Sequence, residues 1–214
     1  KIQKLYKDYR NGIMNKTDQI LVISRDYPHV INNNEKFHHN SIIHDIDTIN
    51  WILGETPIEI CSIDNNNKFI CTLLKYKSNI TLNIISSRFG SSYQQEITFL
   101  GKNKNLYIKD NKNYFSFIER YSESYKNELD EFYLDIIKNR DTLITQNDII
   151  NNLLICNKCI ESIKLNKIIE TNLPKKFRNY NDVPRSVIDT YLFLLIYLIK
   201  VFQQIHQLNY LNNP

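Results

Sequence analysis

Glycine is nearly missing from this 214-residue chain: it has Gly12, Gly54, Gly90 and Gly101, and no two are spaced to form G-x-G-x-x-G. A glycine-rich cradle for the phosphates of a dinucleotide is therefore excluded from the sequence itself. Long hydrophobic runs are also scarce. The longest, Tyr191 to Ile199, is about half of the roughly 20 apolar residues that a membrane helix needs. Charge of one sign is absent too: 27 basic against 23 acidic residues leaves +4, with lysines scattered among asparagines and acids. That pattern is a solvated surface and speaks against nucleic acid as a partner. The N-terminus is basic but lacks an apolar stretch of the kind a signal peptide carries.

What is present suits one domain of ordinary size with an appendage, since 42% apolar content is enough for a core. Cys61, Cys71, Cys156 and Cys159 read as four reduced, mostly buried thiols, and with no signal peptide evident the expected setting is the cytoplasm. Cys156-Asn-Lys-Cys159 is a C-x-x-C, but it lies within a helical pattern and away from a strand-to-helix turn of redox type. His38, His39 and His44 fit neither H-x-x-x-H nor another ligand spacing, so no metal is expected.

The stretch around which the chain is organised runs from Asn40 to Thr56. Ile42, Ile46, Ile49 and Leu53 recur at the spacing of one helical face. Gly54 follows, where a left-handed residue ends a helix, and Pro57 comes soon after. Asn40, His44, Thr48 and Trp51 fall on the opposite face. With the helical turn holding at Asn40, its amide sits one turn from the His44 ring, a group titrating near neutral pH.

Before this helix, Gln19 to Arg25 reads as a strand. After it the period changes to that of β structure. Glu59 to Ile63, Phe69 to Tyr76, Asn79 to Ser86, Gln95 to Leu100 and Leu106 to Lys109 are short strands separated by Asn and Lys clusters, an antiparallel meander. Tyr125 to Asn139 is an amphipathic helix with Leu129, Phe132, Ile136 and Ile137 facing a core. Thr145 to Asp148 resembles a capping box with the shorter acid, and starts a helix whose inner face is Ile149, Leu153, Cys156, Ile160 and Ile163. The expected fold class is α+β, a mostly antiparallel open sheet with helices on one face. The other face, if apolar, is the place for a partner subunit.

These motifs, in this order, resemble the C-terminal domain of the Gfo/Idh/MocA oxidoreductases, and within them the inositol dehydrogenase-like branch. H-D-I-D-x-x-x-W-x-L-G-E from His44 to Glu55 is similar to the signature that opens that domain, and Ile20 to Asp26 (I-L-V-I-S-R-D) to the strand before it. Tyr93 and Gln95 match a Y-x-Q element leading into a strand that ends at Gly101. Glu128 to Arg140 resembles the last long helix, followed by a T-x-x-D start and Glu161-Ser162. Each motif is weak alone; the ordered series over residues 10 to 170 is more specific.

The resemblance implies hydride transfer between NAD or NADP and a hydroxyl or carbonyl carbon of a polyol, such as an inositol, or a sugar. It implies His44 as acid/base, Asn40 as its neighbour, and Tyr93, Arg25 and Asp26 as substrate contacts. In the family an aspartate usually stands where this chain has Asn40, and glycines where it has Glu35 and Lys36. An amide hydrogen-bonds but does not hold imidazolium charge as a carboxylate does. The family's nucleotide domain, with its glycine-rich turn and E-K-P lysine, has no counterpart here, and Lys1 in place of an initiator methionine is consistent with a fragment.

The resulting organisation is a substrate-binding and oligomerising domain over 1–172, with 1–16 as the connection from a missing nucleotide domain. A linker over 173–185 and an apolar tail over 186–214 follow. The 186–202 segment reads as a buried or interfacial helix in preference to a membrane helix, with translated non-coding sequence a third reading. A homo-oligomer through the sheet face is expected. The alternative for the whole chain is a non-catalytic scaffold or dimerisation module that keeps the fold.

Overall fold

The computed structural model describes residues 2–12, 17–25, 41–65, 69–87, 94–102, 105–110, 117–139 and 145–173, with side chains of the 117–139 segment described from Tyr121 onward. The elements in chain order are α1 (Ile2–Arg10), β1 (Thr17–Arg25), α2 (Ile43–Leu53), β2 (Pro57–Asn65), β3 (Phe69–Tyr76), β4 (Thr81–Ser87), β5 (Gln94–Gly101), β6 (Leu106–Lys109), α3 (Phe117–Lys138), α4 (Gln146–Leu165) and β7 (Ile169–Glu170). The backbone divides into two compact units. One comprises 1–112 with 151–175, the other 113–150 with 176–214.

In the first unit the seven strands form one open sheet in the order β6-β5-β1-β4-β3-β2-β7. β2, β3 and β4 are the expected meander, and β5 and β6 a hairpin. β1 does not extend the meander at an edge. It lies between β4, to which it is parallel, and β5, to which it is antiparallel. The sheet is thus mostly antiparallel with one parallel pair at its centre, an arrangement that needs the α2-β2-β3 excursion as a crossover.

Strand alternation divides the sheet cleanly. Ile20, Val22, Ile60, Ile70, Leu74, Leu82, Ile84, Ile97 and Phe99 are buried on one face, together with the α2 stripe of Ile42, Ile46, Ile49 and Leu53. At about 25 cal/mol per Å² of apolar area removed from water, this shared layer is the main stabilising term of the unit. The other face is open. Ile63, Phe69 and Leu73 are exposed there, with Leu21, Ile23, Ile85, Cys61 and Cys71 half-buried beside them.

Several buried polar side chains under the sheet are hydrogen-bonded across elements. β7 covers only Glu59 and Ile60 of β2, so the next inward backbone N–H, that of Ser62, donates instead to Ser162 Oγ of α4 at 3.0 Å. Ser162 passes its own proton to the Lys167 carbonyl at 2.7 Å. The E-S element of the sequence is therefore a structural staple. Asn152 of α4 is likewise buried and hydrogen-bonded. These pairings turn α4 relative to its apolar pattern. It buries Ile150, Asn152, Leu153, Ile155, Cys156, Cys159 and Ser162, while Ile149, Ile160 and Ile163 are only half-buried. The helix is apolar on too many sides for periodicity to fix its inner face.

In the second unit, Thr145 and Asp148 close the capping box. Asp148 Oδ2 accepts from the Thr145 backbone N–H at 2.8 Å and its hydroxyl at 2.7 Å, and Thr145 Oγ1 accepts from the Asp148 N–H at 3.3 Å. α3 departs from expectation. Leu129, Phe132, Ile136 and Ile137 form the stripe, yet all four are half or more exposed. Periodicity shows that a stripe exists; burial depends on what packs against it. Among the described residues no helix is long and apolar enough to cross a membrane, and the 186–202 segment lies outside them.

Candidate functional site

α2 is held at both ends. Its C-terminus stops at Gly54, whose φ of 71° is left-handed and whose N–H bonds to the Asn50 carbonyl at 2.8 Å. A Cβ there would meet the Arg10 guanidinium, a side-chain end that can shift aside, so it is the left-handed backbone that favours glycine at this end of α2. Tyr6 of α1 stacks on Trp51, ring centroids 4.1 Å apart, and Arg10 lies over the Tyr6 ring at 5.4 Å. Inside, Tyr76 of β3 donates its hydroxyl to Asn50 Oδ1 at 2.8 Å, Asn50 Nδ2 donates to Asn152 Oδ1 at 2.8 Å, and Asn152 donates on to Asp47. Burial pushes the Tyr76 phenol strongly up, so it stays a donor.

The N-terminal turn is built differently. Ser41 and Ile42 form a wider turn leading into the regular helix at Ile43, and the residue at the cap position, Ile42, has no side chain that could cap it. Asp45 faces the sheet and is 2% exposed, and Gln95 Nε2 on β5 donates to its Oδ1 at 3.2 Å. Thr48 Oγ1 donates back to the His44 carbonyl at 2.8 Å. His44 itself points away from the core and is exposed to solvent. Protein packed around the ring still disfavours the charged form, and its pKa falls below 6.5. A neutral, solvent-reachable imidazole can accept a proton from a hydroxyl and return it.

Of the residues expected at the site, His44 and Arg25 are described; Asn40, Asp26 and Tyr93 lie outside the described residues. Arg25 ends β1 in register with Gln94 and Ser87. Alternation from the buried Ile20 and Val22 puts Ser24 and Gln95 on the helix-covered face and Arg25 on the open one. Arg25 is thus set on the opposite face of the sheet from α2. The residue that does reach the His44 turn, Gln95, is part of the Y-x-Q element, where only its place in a motif marked it.

The remaining chemistry-bearing residues stand elsewhere. Cys156 and Cys159 are buried, and burial pushes the Cys159 thiol up to about 12 and Cys156 well above its ordinary value. Cys61 and Cys71 lie across the sheet on the open face, half-buried, with Cys71 raised by burial and by Cys61 beside it. A cleft lined by Thr56, Pro57, Glu59, Glu170 and Thr171 opens beyond the other end of α2 from His44.

No protein-family model matches the sequence, and no curated protein matches it. Solved structures do match the fold. The myo-inositol dehydrogenase from Corynebacterium glutamicum ATCC 13032 superposes with a TM-score of 0.72 and 19% identity, over 80% of this chain and 61% of that one. The scyllo-inositol dehydrogenase from Lactobacillus casei with bound NAD(H) and scyllo-inositol gives 0.71 and 17%, over 79% and 61%. The Lactobacillus casei myo-inositol dehydrogenase in complex with NAD(H) and myo-inositol gives 0.72 and 15%, over 83% and 60%. The chain thus spans about three fifths of the length of the structures it matches.

Proposed function

We infer that this chain, whose fold is that of the C-terminal domain of the Gfo/Idh/MocA oxidoreductases as seen in inositol dehydrogenases, is the substrate-side half of an NAD(P)-dependent oxidoreductase acting on a polyol or sugar. The observation that carries this reading is the exposed, neutral His44 at the start of α2, in a fold shared with dehydrogenases solved with NAD(H) and inositols. His44 takes the hydroxyl proton as the carbon is oxidised and returns it in reduction. Asn40 orients the imidazole by hydrogen bonding, and Tyr93 and Asp26 contact substrate. Arg25, at the end of β1, is the remaining candidate contact, and strand alternation sets it on the face away from α2.

A nicotinamide, NAD or NADP, supplies the hydride acceptor or donor. None of the four glycines of this sequence makes its phosphate cradle, so it is held mainly by a domain outside the sequence. The four free thiols suit a reducing, cytoplasmic setting.

The open sheet face supports assembly as a second role. Its apolar centre, Ile63, Leu73 and Phe69, is flanked by the cross-strand pairs Lys75–Glu59 at 3.2 Å and Lys109–Glu96 at 2.7 Å, an apolar patch with a polar rim. A second copy of the chain pairs through it. If the chain serves only as a scaffold, this face is its function and His44 is idle.

Calorimetry with NAD(H), NADP(H) and inositols, on this chain and on the longest product of its gene, tests the reading. Binding of a nicotinamide by the longer product supports the enzyme. Failure of both forms to bind any nicotinamide leaves the scaffold.

A further inference from the structure

Asp45 follows His44 in the first turn of α2 and is almost wholly buried. A carboxylate out of water is costly unless hydrogen bonds replace its hydration. Its partner Gln95 comes from a rigid place. β5 pairs with β1 in unbroken register from Gln19↔Leu100 to Arg25↔Gln94, and Ile97 and Phe99, two and four residues on, are buried on the same side. Five residues along α2 from Asp45, the Asn50 link to Tyr76 and Asn152 fixes the helix to β3 and α4. Two tethers about a turn and a half apart, reaching different strands, set both the rotation of the helix about its axis and its position along it. A helix free to roll by one residue position would turn His44 through about 100°.

We propose that Gln95 is a positioning residue for His44: through Asp45 it fixes the rotation of the first turn of α2, and so the direction in which the imidazole is presented. The inference rests on the reading of His44 as the proton-transfer group, but its geometry stands apart from activity. Gln95 touches neither the imidazole nor substrate in this account. It acts through the helix.

The test follows the His44 ring by NMR across pH 5 to 8 in the wild-type chain, Gln95→Leu and Asp45→Asn, with a thermal melt of each. Gln95→Leu breaks the clasp; Asp45→Asn keeps an oxygen that Gln95 can donate to. With Gln95→Leu the loosened turn rehydrates the ring, and the His44 midpoint rises toward its ordinary value. Asp45→Asn keeps the midpoint or lowers it, since a nearby negative charge is lost.

A clasp that only stabilises gives a lower melting temperature for Gln95→Leu with the His44 midpoint and ring shifts unchanged, and that result overturns the proposal. Should Gln95→Leu not fold, backbone relaxation in the wild-type chain decides. His44 and Asp45 amides as rigid as Ile49 uphold it, and a first turn mobile on the nanosecond scale overturns it. If no form of the protein turns over a polyol, the proposed function falls while these readouts still decide the positioning.

Discussion

Trp51 lies beneath Tyr6, the two rings 4.1 Å apart and only 19° from parallel, so one end of the helix face that carries His44 is covered by α1. Thr48, between them, bonds back to the His44 carbonyl, and His44 at the other end of that face is exposed to solvent. Trp51 is the one tryptophan of the chain and therefore reports this contact alone. Tyr6→Ala is expected to red-shift its emission and to cost about 1 kcal/mol beyond the lost area, in the range of stacked aromatic pairs. An unshifted spectrum contradicts the packing of α1 on α2.

The buried chain Tyr76–Asn50–Asn152–Asp47 joins β3, α2 and α4. Tyr76→Phe removes one donor and leaves Asn50 Oδ1 without it, which should cost about 1–3 kcal/mol in urea unfolding. Asn152→Leu removes two links at once and should cost more. Equal effects of the two variants would mean that the network is not shared.

His44 should show a titration midpoint below 6.5. The sign for stability follows from linkage. Between the lowered folded value and 6.5 the unfolded chain binds the proton and the folded chain does not, so stability falls as pH drops through that window and is level above it. His44→Gln should flatten that part of the melting-temperature profile. A midpoint above 6.5 would instead place a negative group against the ring.

Thiol labelling separates the two faces of the sheet. In the native protein Cys61 and Cys71 should react with a maleimide, Cys71 slowly because burial raises its thiol, while Cys156 and Cys159 react only after denaturation. If two copies pair through the open face, dilution should speed labelling of the first pair, and Leu73→Lys should give a monomer in sedimentation. Native labelling of Cys159 would contradict its burial.

Local features were the legible ones. The Ile42, Ile46, Ile49 and Leu53 stripe, the Gly54 stop and the Thr145–Asp148 cap each depend on residues within one or two turns, and each stands in the structure as read. The insertion of β1 between β4 and β5 depends on pairings 60 or more residues apart, which no local period encodes. The exposed stripe of α3 and the rotated face of α4 fail for a related reason: an apolar pattern states a need for cover, and partners elsewhere decide how it is met. The candidate His44 was marked by its motif. Gln95 reaching Asp45 across 50 residues was not, because a single hydrogen bond between distant strands and helices leaves no spacing to read.

The measurement that bears most directly on the central claim is inositol-dependent reduction of NAD or NADP by the longest product of the gene, wild-type against His44→Ala, with circular dichroism on both. The account predicts turnover in the wild type and its loss by a factor of about 100 or more in the folded variant, the scale of a general acid/base. Turnover that survives His44→Ala would remove His44 from the chemistry. No turnover in either, with no nicotinamide bound, would leave a dehydrogenase fold kept for assembly.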